Sequence, residues 1–216
     1  MFSESGSLLP RRRFIRGITA ALATITAGLP AIAGAGELAD TGDDSDHDAW
    51  MKQAKARHRQ LFHAMELNDR AMLLASNFLD AYRDAFGVKP DDAKAVIGVH
   101  GPALSIGLND AAWSKYGFGK TANLIDPATK EPSIRNVFAT GAPLSVDTLQ
   151  KRGVVFIVCN TALRLTSRAL AKSRGEPEET IYEDLKSSRL PGTILVPAMV
   201  VAINRAQEAG FTYLRV

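Results

Sequence analysis

The stretch Val154-Val155-Phe156-Ile157-Val158-Cys159-Asn160-Thr161 decides the fold. Its five consecutive apolar residues, most of them β-branched, predict a strand that is buried on both faces. The strand ends at the only cysteine of the chain, and a helical pattern starts immediately after it. Ligands of open α/β sheets bind at the carboxyl ends of strands, and the amino end of a helix favours a thiolate. Cys159 is therefore the candidate catalytic residue, and Asn160 is expected to help bind an anionic sulfur.

Strands and helices alternate along the rest of the sequence, which implies parallel pairing through right-handed crossovers. We predict a three-layer α/β/α fold with a mostly parallel five-stranded sheet in the flavodoxin-like order 2-1-3-4-5. The irregular residues 117–143 are expected to form a lid or an interface. The other strands are predicted at residues 59–65, 95–102, 193–198 and 211–216, and the helices at residues 71–86, 104–116, 145–152, 161–173, 176–186 and 199–209.

The positive charge of the chain lies at its amino end. The formal net charge is +3, and residues 1–35 carry four arginines against Glu4. The remainder contains 22 basic and 22 acidic residues and is formally neutral. The basic character therefore does not indicate a nucleic-acid partner or a membrane-surface partner for the folded part.

The sequence Arg11-Arg12-Arg13-Phe14-Ile15-Arg16 resembles the twin-arginine export motif, and a weakly apolar run with small-x-small cleavage sites follows it. We predict a signal peptide at residues 1–35, an acidic linker at 36–56 with ordered structure starting near Trp50, and one α/β domain at 57–216. The resemblance implies a bacterial periplasmic protein with no membrane contact after cleavage. The alternative is a retained amino-terminal anchor.

Several familiar motifs are absent from the sequence. Gly117-Phe118-Gly119-Lys120-Thr121 resembles the end of a phosphate loop, but Ser114 stands where the motif needs its first glycine. The sequence has no Gly-x-Gly-x-x-Gly motif, no paired-cysteine metal spacing and no Gly-x-Ser-x-Gly nucleophile elbow. We predict no bound cofactor, and a single cysteine cannot form an internal disulfide.

Two histidines are expected near the thiol, because His63, His100 and Cys159 end the first, second and third predicted strands. Parallel strands bring their carboxyl ends to one edge of the sheet. A histidine there can stabilise a thiolate or carry its proton, or it can simply bond the backbone. Trp113 and Asn136 are further candidate binding residues, the first before the irregular segment and the second within it.

Several short stretches in the second half of the chain carry a family pattern: Val158-Cys159-Asn160-Thr161-Ala162-Leu163, Leu190-Pro191-Gly192, Val196-Pro197-Ala198, Gln207-Glu208-Ala209-Gly210-Phe211-Thr212-Tyr213-Leu214 and, earlier, Val99-His100-Gly101-Pro102-Ala103. With these stretches the chain resembles the DsrE/DsrF-like proteins, and the resemblance covers residues 57–216. In the sulfur-relay branch of that family, a cysteine after the third strand carries a persulfide, and Cys159 lies at the matching position. The resemblance also implies a homo-oligomer.

Three hypotheses about function stay open. The first is a periplasmic sulfane-sulfur carrier that uses Cys159 and exchanges sulfur with a donor or acceptor protein. The second is a non-catalytic oligomeric module for ligand binding or assembly, without cysteine chemistry. The third is haem or metal binding through His63, His100 or a methionine. Whether the protein is an enzyme is also left open.

Overall fold

The computed structural model describes residues 47–216. A five-stranded sheet, parallel throughout, is flanked by helices in a three-layer α/β arrangement, which confirms the predicted fold class. All five predicted strands are present. They are β1 (His58–Ala64), β2 (Ala93–Val99), β3 (Val155–Cys159), β4 (Ile194–Val196) and β5 (Thr212–Arg215).

The predicted strand order 2-1-3-4-5 is wrong, because the observed order is β4-β3-β2-β1-β5. The flavodoxin-like order would place β2 at an edge of the sheet. Its residues 95–99 are almost wholly apolar and buried, so an edge position would expose them to water. In contrast, every residue of β5 is exposed, and β5 occupies an edge. The apolar strand β2 therefore takes the centre.

The helices fill the connections between the strands. The predicted helix at residues 104–116 is in fact a 3-10 helix (Gly101–Gly107) followed by an α-helix at residues Asp110–Tyr116. Asn109 caps the α-helix by accepting the Ala112 N–H at 3.0 Å. The α-helices are α1 (Ala49–Gln53), α2 (Arg70–Phe86), α3 (Asp110–Tyr116), α4 (Phe118–Thr121), α5 (Val146–Lys151), α6 (Asn160–Arg174), α7 (Glu178–Ser187) and α8 (Met199–Glu208). None of the helices in the described part of the chain has the length and apolarity that a membrane span needs.

The folded structure starts before residue 57. Helix α1 lies within the segment predicted as an acidic linker, and its Trp50 is only 1% exposed, with its ring 5.7 Å from that of Phe211. The predicted signal peptide and its cleavage sites lie at residues 1–35, outside the described residues. The first part of the predicted linker, residues 36–46, also lies outside them.

The chain steps from β1 through β2 and β3 to β4 in one direction and then returns to β5. Right-handed crossovers consequently place α2, α5 and α6 on one face of the sheet and α8 on the other. Helix α1 lies beside α8, since an ion pair joins Asp48 to Arg205. The start of α8 is packed tightly, because a Cβ atom on Gly98 would lie 2.6 Å from Met199 Sδ.

The segment at residues 117–143 contains helix α4 and is held by its own contacts. A Cβ atom on Gly119 would lie 2.0 Å from the carbonyl oxygen of Ser133, so only glycine fits there. Asp126 forms a bidentate ion pair with Arg135, with its shorter contact at 2.6 Å. This segment is therefore folded onto itself.

Candidate functional site

Cys159 is the last residue of β3 and the residue before α6. It is only 1% exposed. Its Sγ atom accepts the backbone N–H of Ala162 at 3.4 Å and that of Met199 at 3.3 Å. Both amides belong to the first turns of helices, which leave such N–H groups without a partner inside the helix. One sulfur atom therefore caps two helices, α6 and α8.

This arrangement follows from the parallel pairing of β3 with β4. Cys159 pairs in register with Val196, three residues before helix α8 begins at Met199. The residue before α8 is Ala198, which has no polar side chain to cap the helix. The sulfur of the neighbouring strand therefore supplies the missing acceptor. Helix amino termini carry partial positive charge, so this position stabilises negative charge on sulfur.

Asn160 does not contact the sulfur through its side chain. Its Oδ1 atom accepts the hydroxyl proton of Tyr182 on α7 at 2.9 Å. This bond ties the start of α6 to α7. The predicted role of Asn160 in binding an anionic sulfur therefore has no support from its side-chain contact.

The two histidines meet each other. His63 is the penultimate residue of β1 and His100 directly follows β2. His63 Nε2 lies 3.3 Å from His100 Nδ1, and the two rings stack with their centroids 5.4 Å apart. His63 Nδ1 lies 3.1 Å from the hydroxyl of Tyr213 on β5, and His100 Nδ1 lies 3.2 Å from Met65 Sδ. Side chains from the carboxyl ends of β1 and β2 thus form one cluster with Tyr213 from the first half of β5.

His63 is held in its neutral form at neutral pH. Its burial, followed by the charges of His100 and Arg215, lowers its pKa from 6.5 to about 4. A neutral imidazole keeps a lone pair on one nitrogen. When His63 Nδ1 donates its proton to the phenol oxygen of Tyr213, the lone pair lies on Nε2, which is the atom that faces His100.

The predicted positions of His63, His100 and Cys159 at one edge of the sheet are confirmed, but the contact between histidine and thiol is not found. The sulfur bonds two amides, whereas the histidines bond each other. The side chain of Met199 lies over Gly98, which is in register with His63 on one side and Ile157 on the other. Met199 thus bonds the sulfur through its backbone N–H and places its side chain on β2, the strand between β1 and β3.

Trp113 and Asn136 are interior structural residues. Trp113 is fully buried, and its indole Nε1–H donates to the Ser105 carbonyl at 2.7 Å. Asn136 is 3% exposed, and its amide donates to the carbonyls of Ile106 at 2.9 Å and Leu108 at 2.6 Å. Neither side chain is available at the surface, which corrects the prediction that they bind a ligand or a partner.

Sequence reasoning missed Met65, Met199 and Tyr213 as neighbours of these groups. Met65 had a detectable signal, because residues two apart in a strand point to the same face, and Met65 follows His63 by two. Met199 and Tyr213 had none. Their placement depends on which strands are neighbours, and that order was predicted wrongly.

A cleft of about 330 Å³ lies between α1 and α8. It is bordered by Val196 and Pro197, the residues that carry the chain from β4 towards α8. Val196 is the register partner of Cys159, so the cleft reaches the strand next to the thiol. Within residues 47–216, no group of three or more His, Cys, Asp or Glu residues is placed to hold a metal ion.

No family model matches the sequence, and no curated protein matches it either. Among solved structures, the chain is similar to a protein of unknown function, MTH1491 from Methanobacterium thermoautotrophicum. The sequence identity is 20% and the TM-score is 0.40, over 74% of this chain and 99% of that one. That protein has no known activity to compare, so the resemblance to DsrE/DsrF-like proteins stays a prediction.

Proposed function

We propose that this chain is an exported sulfur-handling protein in which Cys159 accepts and carries sulfane sulfur. The observation that supports it is the pair of helix amides, from Ala162 and Met199, that donate to Sγ. Two N–H donors and two helix termini stabilise a thiolate, which is the reactive form of cysteine. The family resemblance of the β3–α6 junction points to the same residue.

The proposed reaction is a single displacement. The Cys159 thiolate attacks the outer sulfur of thiosulfate, a new S–S bond forms, and the bond between that sulfur and the sulfite group breaks. Sulfite leaves with the electron pair, and the protein holds a cysteine persulfide. The reverse displacement by the thiolate of an acceptor protein would pass the sulfur on, so no external oxidant is consumed.

Access to the thiol requires a local opening, because Cys159 is 1% exposed. The segment at residues 196–199 is the part that has to move. It borders the cleft beside α1, its Pro197 is exposed, and Met199 supplies one of the two donors to Sγ. Local openings of this kind occur in folded proteins at a free-energy cost below that of global unfolding.

The proposal extends to compartment and partners. The twin-arginine resemblance at residues 11–16 supports export to the periplasm, and that segment lies outside the described residues. The family resemblance supports a homo-oligomer and a protein that donates or accepts the sulfur. A cysteine persulfide is itself reducible, so a dedicated acceptor thiol is the expected consumer.

The test is the intact mass of the full chain after incubation with thiosulfate or polysulfide. We expect an increase of about 32 Da, one sulfur atom, that a reductant removes. The matched control is Cys159→Ser, which keeps a hydrogen-bond acceptor at the helix ends but cannot hold sulfane sulfur. No adduct on the wild-type chain, or an equal adduct on Cys159→Ser, would refute the carrier function.

A second candidate is a non-catalytic binding or assembly module, and the burial of Cys159 favours it. Here the sulfur serves only as the cap of α6 and α8. Ile125 and Ile134, which are 49% and 72% exposed in the segment at residues 117–143, would contribute to a contact between subunits. A native thiol that does not react with iodoacetamide, together with a dimer that Ile134→Asp dissociates, would support this function over the first.

A further inference from the structure

Three side-chain atoms that bind soft metal ions meet at the carboxyl ends of β1 and β2. They are Nε2 of His63, Nδ1 of His100 and Sδ of Met65. The two nitrogens lie 3.3 Å apart, and the sulfur lies 3.2 Å from the His100 nitrogen. A neutral imidazole offers a lone pair on one of its two nitrogens, and a thioether sulfur also offers lone pairs. His63 Nε2 and His100 Nδ1 can both bind a metal ion when each ring carries its proton on the other nitrogen. This group, the His63–His100–Met65 cluster, does not include Cys159.

The distances resemble those between ligands of one metal ion. Two nitrogens, each about 2.0 Å from a metal, are about 3.3 Å apart at a tetrahedral angle, which matches the observed separation of the histidine nitrogens. A nitrogen and a sulfur at about 2.0 and about 2.3 Å are about 3.5 Å apart. The observed 3.2 Å is slightly shorter, so a small side-chain adjustment would complete the geometry.

The backbone builds this cluster without strain. His63 and Met65 are two residues apart at the end of β1, so they point to the same face of the sheet. Ala64 pairs in register with Val99, which places the following residues, Met65 and His100, side by side. The His100 N–H donates to the Ala64 carbonyl at 3.1 Å, and this bond holds Met65 and His100 at the same height along the two strands.

A neighbouring residue orients the first ligand. The Tyr213 hydroxyl lies 3.1 Å from His63 Nδ1, on the ring edge away from the cluster. A partner at the second nitrogen fixes the tautomer and ring orientation of a metal-binding histidine. His63 is 7% exposed, whereas His100 and Met65 are half-buried, so an ion has a path to the cluster from solvent.

We propose that the His63–His100–Met65 cluster binds a soft monovalent metal ion, of which Cu(I) is the biological example and Ag(I) a close analogue. Thioether sulfur favours Cu(I), whereas hard divalent ions require oxygen ligands. The thioether of Met65 carries no charge, and the positive charge of Arg215 acts on His63. A monovalent ion is repelled less by that arginine than a divalent ion. This site goes beyond the proposed sulfur function and does not depend on it.

The experiment titrates the full chain with Ag(I), and with Cu(I) under anaerobic conditions with ascorbate, and follows it by native mass spectrometry. A chromophoric Cu(I) chelator supplies the competition for affinity. All measurements are repeated in a Cys159→Ala background, since a thiol also binds Cu(I). A second readout is the ¹³C-methyl spectrum of the labelled methionines, with the Met65 signal assigned by its loss in Met65→Leu.

The variants are chosen to keep the shape of each ligand. His63→Gln and His100→Asn replace the nitrogen in question by an amide, and Met65→Leu removes the sulfur. The matched controls are His58→Asn, at the opposite end of the same strand, and Met51→Leu on α1. Circular dichroism and urea unfolding verify that each variant folds.

We expect one ion per chain in the wild type and in Cys159→Ala, with the Met65 methyl signal shifted by Ag(I). Each cluster variant should lose at least about tenfold in Cu(I) affinity, since even residues behind the ligands change affinity by about 10–100-fold. The controls should bind as the wild type does. The proposal is overturned if the chain binds no Ag(I) or Cu(I), if binding follows Cys159, or if Zn(II) binds in preference.

Discussion

The two ends of the sheet edge carry their polar groups in different ways. At the β3–β4 end, Cys159 is 1% exposed and its sulfur is held by two backbone amides. At the β1–β2 end, the His63–His100–Met65 cluster is held by side chains and lies partly open to solvent. Any two helices that start at this edge of the sheet supply backbone N–H donors, whereas contacts between side chains require specific residues. The first end is therefore determined by the fold and the second by residue identity.

Met199 contacts residues at both ends of this edge of the sheet. Its N–H donates to Cys159 Sγ, and its side chain lies on Gly98, the register partner of His63. It is only 1% exposed. A single methionine therefore bonds the sulfur through its backbone and fills the space over Gly98, beside His63, with its side chain.

The largest effect is expected from Met199→Ala. Removing a buried methionine side chain leaves a cavity and should cost about 2–5 kcal/mol of unfolding free energy. The cavity also loosens the start of α8, whose Met199 N–H bonds Cys159 Sγ, so iodoacetamide should label the thiol faster than in the wild type. Urea unfolding and intact mass after timed alkylation measure the two effects.

Val200→Ala is the matched control, because Val200 is the next residue of α8 and is 71% exposed. It should change stability by no more than about 0.5 kcal/mol and leave the labelling rate unchanged. If Met199→Ala loses stability but the thiol stays unlabelled, residues other than Met199 shield Cys159.

A smaller effect is expected from Gly98→Ala. The added Cβ would lie 2.6 Å from Met199 Sδ and 2.9 Å from its Cε, so the methionine end has to move. Overpacking of this kind costs about 1–3 kcal/mol, and the low end applies because a flexible thioether can shift. The gain of about 0.5–1 kcal/mol from replacing a strand glycine offsets part of that cost.

The double variant Gly98→Ala/Met199→Ala sharpens this prediction. Without the methionine, the clash is gone and only the gain from replacing glycine remains, so Gly98→Ala should become neutral or stabilising in that background. A double-mutant cycle measured by urea unfolding gives the coupling between the two residues. A coupling close to zero would show that Met199 does not lie on Gly98 in solution.

The sequence predicts the strands of this fold better than their order. The run at residues 154–158 is apolar at every position, and such a run has few alternatives to a central strand. The order depends on which faces remain uncovered after the helices pack. A local sequence pattern does not contain that information, although the almost wholly apolar β2 does indicate a central strand.

Of the candidate site, the sequence predicts only which residues lie at the ends of strands. His63, His100 and Cys159 follow apolar runs, so their common edge could be predicted. The two backbone donors to the sulfur could not be predicted, because one of them, Met199, belongs to a helix that is distant in sequence. Trp113 and Asn136 show the opposite error, since polar and aromatic residues near loops also serve to satisfy buried carbonyls.

The smallest effect is expected from Tyr213→Phe, which tests the contacts of His63 most directly. The hydroxyl lies 3.1 Å from His63 Nδ1, and losing one such bond costs about 0.5–1.5 kcal/mol, here at the low end because Tyr213 is 36% exposed. Without the hydroxyl, His63 Nδ1 loses the partner that fixes its tautomer, so the balance between the two tautomers should shift, which ¹⁵N shifts of the imidazole report directly. Tyr82→Phe is the control, because Tyr82 contacts His58 through stacked rings 4.3 Å apart. If Tyr213→Phe leaves the His63 tautomer unchanged, the Tyr213 hydroxyl does not hold His63. The histidine end would then depend less on residue identity than we infer.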